Sequence, residues 1–182
     1  MILIEMDNIT GDSQVDNDTF KGKCFTADSF GFGVQRDVAE SSKAGTYDLK
    51  LGVGELQECT IGKSMDSASA YLARFAISGT CIGTTKVYFV ETGTTKDNKQ
   101  KLLCYLSFFL DKSFVKSWSV SGDGDSRPTE EVAVWYYRIA FTYGTSLDGD
   151  TIDKKFSCGW DQVANKPWSE GTASSEGLVK VY

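Results

Sequence analysis

Residues 131–143 constrain the fold more than any other part of this sequence. They read Glu-Val-Ala-Val-Trp-Tyr-Tyr-Arg-Ile-Ala-Phe-Thr-Tyr, without proline or glycine, between Pro128 and Gly144. Because β-branched and aromatic residues favour strands, this composition predicts one long β-strand. Side chains alternate between the two faces of a strand. The odd-numbered positions from Ala133 to Tyr143 would therefore share one side, and that side is almost wholly apolar.

The opposite side of this predicted strand is apolar for half of its length. It carries Val132, Val134 and Tyr136. A strand with two apolar sides is normally covered on both of them. We therefore expect a second sheet, a helix or another subunit to lie against it.

Composition limits both the size of the core and the class of partner. The chain has 182 residues, 41% of them hydrophobic, which suits the core of a single domain. The formal net charge is -6, whereas nucleic acids and anionic membranes bind concentrated positive charge. The sequence shows no apolar run of bilayer length and no basic signal region at its start. We expect a protein that is made and folded in the cytosol.

Cysteine and histidine usage limits the possible chemistry. The five cysteines are Cys24, Cys59, Cys81, Cys104 and Cys158, too far apart for a CxxC pair, and we expect buried thiols. The chain contains no histidine. Histidine is the usual general base, the usual partner of a cysteine or serine nucleophile and the commonest zinc ligand. The sequence therefore predicts a protein that is not an enzyme and has no cofactor or metal.

Hydrophobic patterns along the chain predict a mostly β domain with one helix. Helical spacing of apolar residues and a terminating Gly79 place that helix within residues 63–80. Alternating or β-rich patterns predict the strands at residues 2–6, 23–36, 85–92, 101–110, 114–120 and 156–160.

Residues 37–62 are the least regular region. Two interpretations of it stay open, a loop that contacts another molecule and a hairpin folded onto the chain's own core. The apolar residues that make an idle surface linker improbable are Tyr47, Leu49, Leu51, Val53 and Leu56.

Three groups of residues could indicate metal binding, catalysis or sugar binding, and each indication is weak. Asp123-Gly-Asp125 and Asp148-Gly-Asp150 lack the ligand pattern of a calcium loop and are typical of tight turns. Glu130 and Glu131 are adjacent, so they would point to opposite faces of a strand and could not act as a catalytic pair. The tryptophans that could stack on sugar rings are Trp118, Trp160 and Trp168.

Short segments throughout the chain occur in the order found in one protein family. They are Ile2-Leu-Ile-Glu-Met-Asp-Asn-Ile-Thr-Gly-Asp-Ser13, Ser29-Phe-Gly-Phe-Gly-Val-Gln35, Met65-Asp-Ser-Ala-Ser69, Pro128-Thr-Glu-Glu-Val132, Phe141-Thr-Tyr143 and Gly159-Trp-Asp161 with Lys166. In these segments the chain resembles the Hcp family, the haemolysin-coregulated tube proteins of type VI secretion systems.

The resemblance implies a compact β-barrel of two antiparallel sheets with one α-helix packed at its side, similar to phage tail-tube proteins. It implies an Hcp-like domain at residues 1–168 followed by an extension at 169–182. Such a protein is expected to form hexameric rings in the cytoplasm. These rings would stack into the inner tube and leave through the secretion apparatus without a signal peptide. The implied partners are further copies of the chain, a spike protein, a contractile sheath and effector proteins.

The family's loop after the second strand reaches a neighbouring subunit, and residues 36–60 occupy that position here. Together with the second apolar side of the central strand, this loop provides the predicted subunit interface. Its residues are Tyr47, Leu49, Leu51, Val53, Leu56, Val132, Val134 and Tyr136.

Two other classes of function remain open from the residues alone. One is a monomeric carbohydrate-binding β-sandwich that uses Trp118, Trp160 or Trp168 as a stacking platform. The other is an enzyme with a reactive cysteine, which the missing histidine disfavours.

Overall fold

The structure, a computed structural model, describes residues 1–15, 17–41, 48–94, 100–147 and 151–182. For residues 38–41, 48–53 and 94 the description covers the backbone alone. Within these ranges the chain forms twelve strands and two helices. The strands are β1 (Ile2–Met6), β2 (Cys24–Ala27), β3 (Ser29–Gly31), β4 (Val34–Ser41), β5 (Asp48–Leu56), β6 (Cys59–Ser64), β7 (Gly83–Thr94), β8 (Gln100–Ser121), β9 (Thr129–Trp135), β10 (Arg138–Thr145), β11 (Lys154–Asp161) and β12 (Lys166–Pro167). The helices are α1 (Ser69–Ser78) and α2 (Ser169–Leu178).

The long strand β8 joins two antiparallel layers. Its first half lies in the order β12-β11-β10-β8-β7-β1-β2, and its second half pairs with β9, which continues through β6 to β3. At the other side the chain passes from β2 to β3 at Asp28, whose N–H donates to the Gly62 carbonyl at 2.8 Å. The two layers are thus connected at both edges. This arrangement confirms the predicted mainly β fold with two antiparallel sheets.

The predicted central strand is in fact two strands. Residues 131–143 form parts of β9 and β10, with a break at Tyr136 and Tyr137. The break lies where the chain crosses between layers, because β9 pairs with the second half of β8 and β10 with the first. The Tyr136 hydroxyl donates to the Gln57 carbonyl at 2.6 Å, which holds the crossing in place. The two segments predicted at 101–110 and 114–120 are one continuous strand, β8.

The predicted helix begins later than expected. Residues 59–64 continue as strand β6, so α1 starts at Ser69 rather than near residue 63. Asp66 Oδ1 accepts the Ala68 N–H at 2.9 Å just before the first turn. The helix ends at Gly79, which has a φ of 63° and therefore the left-handed conformation that was predicted for it. Its apolar residues Leu72, Phe75 and Ala76 pack on the core, as does Ala68 just before its first turn.

A second helix, α2, was not predicted. Its sequence Ser-Glu-Gly-Thr-Ala-Ser-Ser-Glu-Gly-Leu is poor in helix-forming residues. It forms because β8, β10 and β11 provide a surface on which it packs. The predicted extension at 169–182 is therefore part of the packed structure. Neither helix in the described part of the chain is long and apolar enough to cross a membrane.

A buried ion-pair network holds α1 against the barrel. Lys63 Nζ lies 2.6 Å from Glu130 Oε1 and 2.7 Å from Asp66 Oδ1, and the side chains of Lys63 and Glu130 are both 0% exposed. Ser69 Oγ, at the start of α1, donates to Glu130 Oε1 at 3.0 Å. Trp118 Nε1 donates to Glu130 Oε2 at 2.8 Å. The network therefore links β6, β8, β9 and the start of α1.

Removing the lysine should destabilise the fold more than neutralising the glutamate. Lys63→Met leaves Glu130 buried without a countercharge, and such a change lowers the free energy of unfolding by about 3–5 kcal/mol. Glu130→Gln leaves Lys63 paired with Asp66, so we expect a smaller loss. Urea denaturation followed by tryptophan fluorescence measures both. Equal losses, or a larger loss for Glu130→Gln, would show that Lys63 is not the centre of the network.

Candidate interaction surface

One face of the sheet formed by β8, β10 and β11 carries three rows of apolar side chains. The registers align Leu110, Ile139 and Trp160 in the first row, and Phe108, Phe141 and Cys158 in the second. The third row is Leu106, Tyr143 and Phe156. These side chains share one face because strand residues two apart point to the same side.

Exposure rises steadily from the first row to the third. In the first row, Leu110 and Ile139 are buried in the main core. In the third row, Tyr143 is 46% exposed and Phe156 is 58% exposed. The β3–β6–β9 layer thus covers one end of this face and leaves the other end uncovered. We call the third row, with the adjacent Tyr105, the aromatic face.

Ring contacts connect the aromatic face to the core. The centroids of Tyr105 and Tyr143 are 6.5 Å apart at 85°, and Phe89 lies 6.4 Å from Tyr105. Phe89 in turn contacts Phe108, with centroids 6.2 Å apart. The two edge-to-face pairs, Tyr105 with Tyr143 and Tyr105 with Phe89, add about 0.5–1.5 kcal/mol each beyond the area that they bury. The exposed ring of Tyr143 is therefore supported by packed aromatic side chains that lead to the core.

Three residues of the predicted interface lie inside the single chain. Val132, Val134 and Tyr136 are each 0% exposed and belong to the main core. They face inward because the even-numbered side chains of β9 point toward the layer that contains β10, β7 and β1. These side chains are not accessible to another subunit, so this part of the predicted interface is corrected.

The other predicted interface residues belong to a separate hairpin. β4 and β5 pair with each other and form a two-stranded sheet of their own. Tyr47 lies outside the described residues, and for Leu49, Leu51 and Val53 the backbone alone is described, in β5. Leu56, at the end of β5, is half-buried and packs against the core. The region is therefore a hairpin, and its role as an interface stays a prediction.

A cleft of about 310 Å³ lies beside the base of this hairpin. Its walls include Leu56, Trp135 and Trp160, with Gln162 at one side. Trp135 stacks on Tyr136 with a centroid distance of 6.0 Å and is 36% exposed. The hairpin base thus adds a further partly exposed apolar surface.

The three tryptophans proposed as sugar platforms differ in their surroundings. The indole N–H of Trp118 donates to Glu130. The ring of Trp168 packs against Phe109 at 5.7 Å and beneath the Arg138 guanidinium, also at 5.7 Å. Trp160 lines the cleft beside the hairpin. They do not form a common platform.

The cysteines are divided between core and surface. Burial raises the pKa of Cys24, Cys59 and Cys104 to about 12 in each case, which keeps these thiols protonated and unreactive. Cys81 and Cys158 are exposed, so the prediction that all five thiols are buried is wrong for these two.

The residues considered for metal binding form turns or lie outside the description. Asp123 Oδ1 accepts the backbone N–H groups of Asp125 and Ser126, both at 3.1 Å. These bonds lower the pKa of Asp123, and they are those of a turn-forming aspartate. Asp148 and Asp150 lie outside the described residues. Elsewhere in the described ranges, no group of three His, Cys, Asp or Glu residues could hold a metal ion.

Sequence reasoning missed the third row of the sheet as a surface. Tyr143 was assigned to an apolar side and residues 156–160 to a strand, but strand alternation does not reveal which strands pair. The cross-strand register that places Phe156 beside Tyr143 is a property of the folded sheet. The available signal was an aromatic residue near one end of two of these strands, Tyr143 in β10 and Phe156 in β11.

Comparison with known proteins gives consistent matches. The family model described as "Type VI secretion system effector, Hcp" matches residues 3–143. A search of curated proteins found no match. A solved structure described as a type six secretion system protein is 24% identical, with a TM-score of 0.76, covering 92% of this chain and 98% of that one.

Two further solved structures share the fold. Hcp1 from Salmonella typhimurium is 20% identical, with a TM-score of 0.68, covering 92% of this chain and 97% of its own. A type VI secretion system effector from Yersinia pestis is 17% identical, with a TM-score of 0.63, covering 88% of this chain and 99% of its own. At these identities the structures establish the fold. Since the family model covers most of the chain, the protein belongs to the Hcp family of type VI secretion proteins.

Proposed function

We propose that this protein is a structural subunit of the type VI secretion inner tube. It would assemble into hexameric rings that stack and are expelled with effectors. The observation that carries this proposal is the uncovered aromatic face, in which Tyr143 is 46% and Phe156 is 58% exposed, on a member of the Hcp family. Exposed aromatic surface supported by a packed core is typical of a protein–protein contact.

The size of this surface sets a limit on what it contributes. Aromatic side chains bury about 150–250 Å² each. Covering the exposed parts of Tyr143 and Phe156 therefore removes roughly 200 Å² from water, worth about 5 kcal/mol at about 25 cal/mol per Å². Association costs about 4–15 kcal/mol in lost freedom of motion. The two rings alone would not hold a ring of subunits together, so further contacts must add to them.

The β4–β5 hairpin is the best source of those further contacts. It carries Leu49, Leu51 and Val53, and its two strands pair with no other strand of the described chain. Rings close when one surface of a subunit meets a different surface of the next. The hairpin and the aromatic face would be two such surfaces, and permanent interfaces bury about 2,000 Å² or more in total.

This function implies further partners and a route. Assembly would take place in the cytoplasm, and the tube would then leave through the secretion apparatus. The contractile sheath would surround the stacked rings, the spike protein would cap them, and effector proteins would travel with them. These partners rest on family membership.

Replacing the exposed aromatic side chains should abolish ring formation. We expect Tyr143→Ser with Phe156→Ser to lose the hexamer mass in light scattering, because the apolar area of the contact is removed. Both side chains are substantially exposed in the single chain, so far-UV circular dichroism should stay unchanged.

The matched control is Ile77→Ser with Val163→Ser. These side chains are 88% and 74% exposed but lie on α1 and after β11. This variant should form rings like the unmodified protein. If the aromatic-face variant also forms rings of full mass, the proposed contact is wrong. If the unmodified protein stays a single chain at high concentration, the assembly proposal itself fails.

Deleting residues 39–54 should separate folding from assembly. The deletion removes the end of β4 and most of β5, two strands that pair only with each other within the described chain. The ten-stranded sheet should therefore fold without them, whereas ring formation should be lost. Circular dichroism and light scattering on one sample measure both properties. Intact rings from this deletion would show that the hairpin is not an interface element.

A further inference from the structure

The C-terminal tail, residues 168–182, places its helix α2 on a surface rich in small side chains. A Cβ atom at Gly159 would lie 2.6 Å from the Trp168 carbonyl oxygen, and one at Gly144 would lie 2.5 Å from Val179 Cγ1. Larger residues at these positions would prevent the tail from docking. The surface beneath the tail includes Ser107, Thr142, Gly144, Ser157 and Gly159. It therefore fits a helix of small residues such as α2.

The contacts between α2 and this surface are largely polar. Ser175 Oγ and Thr142 Oγ1 are 2.7 Å apart, and Ser107 Oγ donates to the Ser175 carbonyl at 2.9 Å. Ser157 Oγ donates to Glu176 Oε1 at 2.7 Å. Hydrogen bonds of this kind contribute only about 0.5–1.5 kcal/mol each once exchange with water is counted. The bonds make docking specific without making it strong.

Beyond α2, the tail pairs with the edge of β8 through a single β-bridge between Leu103 and Val181. β10 leaves this edge after Tyr143, which is its last residue paired with β8, at Leu106. The tail takes its place, with two hydrogen bonds between Leu102 and Tyr182, at 2.8 and 3.2 Å. The Cys104 N–H donates to the Lys180 carbonyl at 2.9 Å. If the tail undocks, the N–H and carbonyl groups of Leu102 and the N–H of Cys104 lose these hydrogen-bond partners.

The docked tail contains features that weaken it. α2 includes Gly171 and Gly177 and has no side-chain hydrogen bond at its N-cap, and a glycine inside a helix costs about 1 kcal/mol relative to alanine. The buried indole N–H of Trp168 has no hydrogen-bond partner within the described chain. An unsatisfied buried donor costs about 1–3 kcal/mol. The tail is therefore a good candidate for local opening while the barrel stays folded.

We propose that the tail exchanges between neighbouring copies of this chain, so that the surface and β8 edge of one copy bind residues 168–182 of another. The proposal rests on the assembly proposed above, which brings copies together. A second copy is the fitting occupant because an identical tail reproduces every contact. The chain just before the tail, β12 (Lys166–Pro167), is paired with β11, so the exchange would pivot between Pro167 and Trp168.

The inserted ring of Tyr182 makes this docking selective. Its centroid lies 4.7 Å from that of Phe20 at an interplanar angle of 64°. Phe20 is 0% exposed and also packs on Tyr88, at 5.2 Å. A partner strand therefore needs an aromatic residue at this position as well as small residues in its helix. The chain's own tail meets both requirements.

A split cysteine pair tests the exchange. Leu103 and Val181 face each other across the bridge between β8 and the tail. The neighbouring pair, Leu102 and Tyr182, exchanges both backbone hydrogen bonds, so Leu103 and Val181 form a non-hydrogen-bonded pair. The Cα atoms of such a pair are about 4.5 Å apart, a distance that permits a disulfide. One copy carries Leu103→Cys with an isotope label, and the other carries Val181→Cys. Both carry Cys81→Ser and Cys158→Ser, and they are co-expressed and oxidised.

If tails exchange between copies, a disulfide should link a labelled chain to an unlabelled one. Peptide mass spectrometry identifies this disulfide. The matched control replaces Val181→Cys by Lys180→Cys, whose side chain is exposed on the same tail, and it should give no linked dimer. The single chain with both Leu103→Cys and Val181→Cys should close internally. If it does and the mixture forms no interchain disulfide, the exchange proposal is overturned.

Hydrogen exchange on the unmodified protein gives a second test that needs no variant. The amides of Cys104 and Tyr182 should exchange well before those in the middle of β10. Equal protection of the two sets would overturn the proposal, because the tail would then not open separately. Light scattering of the mixed sample reports ring formation independently. Rings without interchain disulfides would leave the assembly intact and refute only the exchange.

Discussion

The buried ammonium group of Lys63 is the interaction on which the arrangement of barrel and helix depends. A charge with a fully buried side chain is tolerated only when it is paired and hydrogen-bonded. Here Glu130 and Asp66 supply the pairing, at 2.6 and 2.7 Å. Since Glu130 also accepts hydrogen bonds from Ser69 and Trp118, the network around one lysine links β6, β8, β9 and the start of α1. Residue 63 lies in a strand because β6 pairs with β9 from Cys59 to Ser64, so the helix begins only at Ser69.

The length of β8 explains how the fold leaves an apolar surface exposed. This strand of 22 residues serves two layers in turn, so the β3–β6–β9 layer covers only part of the sheet formed with β10 and β11. The rows of side chains continue beyond that cover, from buried Leu110 to Phe156, which is 58% exposed. This apolar face extends beyond the layer that covers it within the chain, and a second chain could cover the remaining part. The geometry of the sheet therefore supports the proposed assembly.

The elements that sequence predicted best were those with strong local patterns. The alternation in residues 2–6 and the glycine at position 79 correspond to β1 and to the end of α1. The break at Tyr136 was missed because both tyrosines there favour strands, and the crossing depends on a hydrogen bond to the distant Gln57. Helix α2 was missed because its serines and glycines become helical only through contacts with residues such as Thr142. Local propensity contains neither kind of information.

Composition and alternation by themselves determined that the chain is mainly β, that it lacks a histidine-based reaction centre, and that residues 131–143 have two apolar sides. The tertiary structure decided which side faces the core. Before the break the even-numbered Val132 and Val134 are buried, whereas after it the odd-numbered Ile139 faces the core and Tyr143, on the same side, is exposed. The physical reason is that alternation fixes which residues share a side, but burial depends on the element that packs against that side. Which element packs against each side is set only in the folded chain, where β9 and β10 pair with different halves of β8.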